Sequence, residues 1–230
     1  MKLSKYSVNN TLFKIVGKTK IIKFFEINIK ELKNLKNRKM IFNEIKRYHS
    51  SLSSNGVPVA KVLNLKIQKN KFYCMMDYKG KNLLNYLNDK NFFNKINRIL
   101  PILKIIKNKK ILFDPHIKNF VSNKNGIFYV DIYPPYTKKY ISLRKKYFMN
   151  KKEKELIQKN FKIFGPNFLA AHFFGDIVKE KPKLMNKFKS FYNLSYKLKL
   201  TSVTRKTFYR QVKMIIDTEQ KREKHNFYLI

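Results

Sequence analysis

Short runs rich in Ile, Val, Leu, Phe and Tyr at residues 11–16 and 20–27, and again at 62–68 and 71–78, have strand composition, and on a strand their side chains take opposite faces with a period of two. Between these pairs the spacing changes. Met40, Ile41, Ile45, Tyr48 and Leu52 recur at helical intervals and predict one amphipathic helix over 37–53. Beyond Gly80 the pattern turns mainly helical: Leu83, Leu84, Tyr86 and Leu87 start one helix, and residues 92–106 form another that Pro101 bends or restarts. A hairpin interrupts the helices, its two short strands joined at Asn125-Gly126, the strongest short-range hairpin signal. Leu156-Ile157, Phe161, Phe164, Phe168-Leu169, Phe173-Phe174 and Ile177 then return to three- and four-residue spacing, punctuated by Gly165-Pro166 and Lys181-Pro182. Residues 202–224 predict a last helix, a basic solvated face over a stripe of Phe208, Val212, Ile215 and Ile216. No internal repeat is visible.

The hairpin carries the densest chemistry. Asp114-Pro-His116-Ile-Lys-Asn119 precedes it and Val130-Asp131 follows it, which puts two carboxylates and an amide around one polar pocket. Phosphoryl transfer asks for a residue orienting the nucleophile, oxygen ligands for a metal, and a cation on the phosphates. Asp114 would accept or orient a hydroxyl proton, and Asn119 and Asp131 would converge on Mg2+. His116 braces the loop. On the hairpin alone a structural reading is equally open, with Asp114-Pro opening a turn, Asn119 capping it and Asp131 ending a strand.

The cation is sought upstream. On the strand 20–27, Ile21, Lys23 and Phe25 share one face, so Lys23 can sit beside a nucleotide with Ile21 as a wall, while Lys20 falls on the other face. Glu44 lies on the inward stripe of the following helix, where an unpaired carboxylate is costly. An ion pair with Lys23 accounts for both residues; the competing arrangement is a surface pair with Lys39, Lys46 or Arg47 along the helix.

These stretches resemble the protein-kinase-like superfamily, and within it the aminoglycoside, choline and homoserine phosphotransferases and related small kinases. Asp114-Pro-His116-Ile-Lys-Asn119 looks like the catalytic loop of that branch, and Tyr129-Val-Asp131 like the strand ending in its magnesium-binding aspartate. Glu44 followed by Gly56-Val-Pro58 is similar to the helix and its connection into the fourth strand. The stretch 72–84, with Met76, Asp77, Tyr78 and Gly80, resembles the strand and hinge where backbone groups meet adenine. Lys23 matches the phosphate-binding lysine more loosely. The likeness runs over roughly residues 10–135. It implies an α+β, two-lobed fold: an antiparallel-sheet lobe with one helix over 1–79 and a mainly helical lobe over 80–230. It also implies ATP and Mg2+ as cofactors, Ile21, Lys23, Glu44, Met76 and Tyr78 around the nucleotide, Asp114 and Asn119 in catalysis, and Asn119 and Asp131 on the metal.

The sequence departs from that pattern in places. Leu112 stands where the branch commonly has histidine, Lys118 replaces the loop glycine, and Asp131-Ile-Tyr-Pro-Pro135 lacks the phenylalanine and glycine usual in protein kinases. No glycine-rich loop precedes Lys23, only the single turn glycine Gly17. A kinase-like binding module without activity therefore stays open. The acceptor is a hydroxyl of unidentified nature. About thirty residues separate hinge from catalytic loop, so the acceptor is held by residues after Tyr136; His172 and Asp176, four apart, either face one pocket or pack a helix end.

Charge adds a third class. The 52 Lys+Arg against 14 Asp+Glu give a net +38, which attracts nucleic acid or other polyanions and favours an anionic acceptor. Forty-five of the cations are lysine, which lacks the bidentate fork of arginine, and A/T-rich codons account for the same bias. Salt-sensitive, nonspecific nucleic-acid binding is expected, and a basic RNA-associated protein is the alternative class. The lone Cys74 sits in an apolar strand pattern and excludes an intramolecular disulfide. The scattered histidines show no zinc-ligand spacing. With no apolar run of membrane-spanning length and no signal-like start, a soluble, cytoplasmic protein is expected.

Overall fold

Strands Lys2–Leu3 (β1), Leu12–Val16 (β2), Lys20–Glu26 (β3), Val62–Gln68 (β4) and Lys71–Asp77 (β5) pair antiparallel in the order β1-β2-β3-β5-β4. The helix Leu35–Ser54 (α1) lies between β3 and β4 in the chain. Apart from β1, these are the elements that the strand-like runs and the helical stripe predict, within two or three residues at each end. The computed structural model describes residues 2–3, 12–26, 35–68, 71–132, 142 and 163–224. The expected helical stretch at 156–161 and the segment from Tyr133 to Tyr136 lie outside them.

The β3–β5 register decides which lysine points inward. Ile21 faces Met76 and Lys23 faces Cys74, and both partners on β5 are fully buried. Lys20 is exposed. The inward side chains Phe72, Cys74 and Met76 pack with Ile41 and Ile45 of α1, Ala60 and Ile132 into a first core. Each such aliphatic or aromatic side chain contributes about 1.5–3 kcal/mol by leaving water. Tyr48 and Leu52, one and two turns further along α1, join a second and larger core instead. One helix therefore couples both cores, and the α+β organisation is a small antiparallel sheet with one helix followed by a helical part.

Gly80 has φ +112, and a Cβ there would lie 2.1 Å from the Ser122 carbonyl oxygen, so the chain leaves the first sheet where only glycine fits. Lys81–Asn82 (β6), Phe120–Asn123 (β7) and Gly126–Tyr129 (β8) form a second antiparallel sheet. Asn123 pairs with Gly126, so the hairpin turns on Lys124-Asn125, one residue earlier than the Asn125-Gly126 signal predicts. Gly126 instead opens β8 with φ +145. Phe92–Asn97 (α2) and Leu100–Asn108 (α3) are two helices, the restart expected at Pro101, which sits at the start of the second, where a missing N–H costs nothing.

The C-terminal helices are Leu169–Glu180 (α4), Phe188–Lys197 (α5) and Arg205–Lys224 (α6). The last begins three residues later than its hydrophobic stripe predicts, because the Thr204 hydroxyl accepts the Thr207 N–H at 3.3 Å and caps it. Phe208, Val212 and Ile215 are buried as expected. α4 is buried from Leu169 through Val178, and Gly175 lets α6 approach it: a Cβ there would sit 2.9 Å from Ile215 Cβ and 3.2 Å from the Val212 carbonyl oxygen. Gly175→Ala must part the two helices. It is expected to cost about 1–3 kcal/mol, visible as a lower denaturant midpoint at unchanged slope.

Candidate active site

Asp114 and His116 lie on the loop between α3 and a short 3-10 turn at Ile117–Asn119. Asp114 Oδ1 accepts the His116 backbone N–H at 3.2 Å and also accepts from His116 Nδ1, which folds the loop back on itself. The Asn119 amide NH2 donates to the Asp114 carbonyl oxygen at 3.4 Å. Its carbonyl oxygen is thus the atom available to a cation. The Asn82 side chain ties the same loop to the second sheet, donating to the Lys118 carbonyl while its Oδ1 accepts the Leu84 N–H at 2.9 Å.

Asp131 follows β8, and the backbone around it is held from both sides. Val130 N–H donates to the Asn119 carbonyl at 2.9 Å, Tyr129 N–H to Pro58 at 2.8 Å, and Ala60 N–H to Tyr129 at 3.0 Å. Lys23 crosses from the first sheet, its Nζ donating to the Val130 carbonyl oxygen at 2.9 Å. Burial pulls the Lys23 ammonium below the usual lysine range, and the Asp131 carboxylate opposes that pull. Burial likewise raises Tyr48 and Tyr129, and the charges of both Asp131 and Asp114 push them further. The two aspartates therefore act on the same pair of buried phenols. Lys23, Asp114, Asn119 and Asp131 belong to one neighbourhood although nearly a hundred residues of chain separate the first two.

The expected Lys23–Glu44 ion pair does not form. Glu44 Oε1 is 3.1 Å from Arg47 Nη1, one turn along α1, and Lys23 spends its ammonium on a carbonyl. The short-range partner wins because the Glu44–Arg47 pair needs no tertiary movement. Ile21 and Met76 stand opposite each other across β3 and β5. At the expected hinge the N–H groups of Asp77 and Tyr78 donate to Lys61 at 2.9 Å and Thr19 at 2.7 Å, so an adenine contact there would use other backbone groups. The β2–β3 connection is only Gly17-Lys18-Thr19. A long phosphate lid has no room in it.

Beneath the loop lies a buried polar cluster that the sequence spacing alone does not assemble. Asp176 Oδ2 of α4 accepts the Ile117 N–H at 2.8 Å, and its Oδ1 is 3.8 Å from His116 Nε2. Glu219 Oε2 of α6 is 3.3 Å from the same nitrogen. His172 meets the His116 ring edge to face at 4.8 Å and takes the Ile163 carbonyl on Nδ1 at 3.0 Å. Burial would lower His116, but Asp114, Asp176 and Glu219 outweigh it and raise the imidazole to about 10. Burial alone would raise Asp114; the adjoining imidazolium instead holds it below the usual carboxylate range. His172, buried beside that cation, drops to about 4 and is neutral. His172 and Asp176 thus both pack a helix and face one cluster. A signal for this exists in the sequence: a helix apolar on every face is buried, and polar residues on it need partners.

No family model matches the sequence, and no curated protein matches it. Among solved structures, one of the bifunctional kinase-methyltransferase WbdD is similar over 93% of this chain and 49% of that one, at 10% identity and a TM-score of 0.44. A co-crystal structure of WbdD with the kinase inhibitor LY294002 is similar over 64% of this chain and 38% of that one, at 11% identity and a TM-score of 0.35. The chain spans less than half the length of either. At these values the likeness decides nothing by itself. Among the described residues, no helix is long and apolar enough to cross a membrane.

Proposed function

We propose that the protein is a kinase-like phosphotransferase that passes the γ-phosphoryl group of ATP to a hydroxyl. The observation that carries this reading is the meeting of Lys23, Asp114, Asn119 and Asp131 at the junction of the first sheet with the β7–β8 hairpin. Asn119 and Asp131 supply hard oxygen ligands, the donor set that suits Mg2+. Magnesium held there would neutralise charge on the triphosphate oxygens. Lys23 would exchange the Val130 carbonyl for a phosphate oxygen. Asp114, kept ionised by His116, is a weak proton acceptor, so it serves first to orient the acceptor hydroxyl and takes the proton late, as a loose transition state allows. The basic surface favours an anionic acceptor.

A second reading, a nucleotide-binding module without transfer, is favoured by the Glu44–Arg47 pair, which leaves Lys23 without its expected carboxylate. Two measurements order the readings: nucleotide binding separates both from the RNA-associated class, and release of labelled phosphate from ATP separates transfer from binding alone. Thermal unfolding with ATP is expected to shift upward only when Mg2+ is present, by several degrees at saturating nucleotide. Asp131→Ala should weaken Mg·ATP binding on the order of 10-fold, about 1.4 kcal/mol by calorimetry. Equal affinity in the variant removes Asp131 from the metal. Absence of any nucleotide effect, together with salt-sensitive RNA binding, selects the RNA-associated class instead.

A further inference from the structure

The buried cluster beneath the catalytic loop contains two nitrogens that the hydrogen-bond network leaves over. His116 commits Nδ1 to the Asp114 carboxylate and His172 commits Nδ1 to the Ile163 carbonyl. The Nε2 atoms of both rings are buried and close no hydrogen bond. His116 and His172 are 4% and 0% exposed, so water does not serve them from the surface. A buried imidazole nitrogen without a partner carries a desolvation cost, and two on rings in edge-to-face contact need a common explanation. Glu219 enters the same space from α6, and ligand atoms of His116, His172 and Glu219 all lie within 4.8 Å of one another.

We propose that His116, His172 and Glu219 bind a divalent transition-metal ion, with zinc the best match. Three features carry the assignment independently of phosphoryl transfer. First, two imidazoles and a carboxylate are the donor types that zinc takes in protein sites. Second, histidines on a metal almost always give the other ring N–H to a carboxylate or a backbone carbonyl, which fixes the tautomer and leaves Nε2 for the ion. His116 on Asp114 and His172 on Ile163 are one of each. Third, three carboxylates, Asp114, Asp176 and Glu219, surround His116, with Lys179 3.8 Å from Asp176 and Lys118 near Asp114 and Asp176 as cations on the cluster's rim. A protonated His116 facing Glu219 accounts for one of the two Nε2 atoms; a metal, which displaces that proton to solvent as it binds, accounts for both.

The cluster is wider than a filled site. Bonds of about 2.0–2.1 Å set a tetrahedral edge of roughly 3.3 Å, so an ion would draw the three side chains together by about an ångström. Its position is structural: it would clamp the catalytic loop to α4 and α6 and fix Asp114 through the His116 ring.

The test uses the full chain and the metals themselves. Zinc calorimetry on chelator-treated protein is expected to give one site per chain, and Co2+ in its place should give the intense visible absorption of a four-coordinate ion. His172→Gln, checked for native far-UV circular dichroism, should lose that absorption and bind zinc at least tenfold more weakly. Failure of the wild-type chain to take up stoichiometric zinc overturns the site, as does only the faint spectrum of six-coordinate Co2+. Equal zinc affinity in a folded His172→Gln variant assigns the ion elsewhere and overturns it too. If His172→Gln does not fold, the wild-type cobalt spectrum and the same titration on Glu219→Gln decide.

Discussion

Asp114→Asn is expected to slow phosphoryl transfer by about 10²–10⁴-fold while Mg·ATP affinity stays nearly unchanged. Asparagine keeps the size of the side chain and a carbonyl oxygen for the His116 backbone N–H, so the loop retains its shape. It removes the negative charge that orients the acceptor hydroxyl and receives its proton. Asp114 suits this role because its side chain stays 20% exposed while the residues on either side of the loop are buried. Turnover can be followed without knowing the acceptor, by release of labelled phosphate from ATP with water as the smallest hydroxyl, under single-turnover conditions. A variant that releases phosphate at the wild-type rate takes Asp114 out of the chemistry and leaves it as the partner of His116 alone. Loss of nucleotide affinity together with a large drop in unfolding temperature would instead assign it to loop architecture.

The parts of the fold that a sequence can show are those set by local periodicity. Ile21 and Lys23 sharing a face, and Ile41, Ile45, Tyr48 and Leu52 sharing another, follow from periods of two and 3.6 and were fixed before any tertiary contact. The hairpin was legible as well, though its turn moved by one residue because Lys124-Asn125 completes a two-residue loop and Gly126 serves the following strand. Glu44 was legible as half-buried and not as paired. Choosing between Lys23 on another strand and Arg47 one turn away depends on how α1 rotates against the sheet, and no local pattern encodes that rotation. The cluster around His116 is the extreme case. Asp176 lies 59 residues beyond the Ile117 N–H that it accepts, and Glu219 another forty-three further on. Yet Glu219 continues the spacing of Phe208, Val212 and Ile215, so an acid on the apolar stripe of α6 was visible once the stripe was drawn to its end.

Asp176→Ala should be the most destabilising single change in this region, by about 3–5 kcal/mol. Asp176 is 3% exposed, and its carboxylate does two things: it accepts the Ile117 N–H at 2.8 Å, and it offsets the His116 imidazolium. Alanine leaves a buried donor without a partner and a buried cation with one carboxylate fewer, and each loss carries a desolvation penalty. Against a typical total stability of 5–15 kcal/mol the change is large, and at about 2–4 °C per kcal/mol for a chain of this size it lowers the unfolding midpoint by roughly 10 °C. Asp176→Asn separates the two contributions. The amide oxygen still accepts the Ile117 N–H, so only the charge beside His116 is lost, and a smaller drop is expected. Equal losses in the two variants would place the stabilisation in the charge alone; no loss in either would mean that the loop holds its shape through Asp114 and Asn82 without α4.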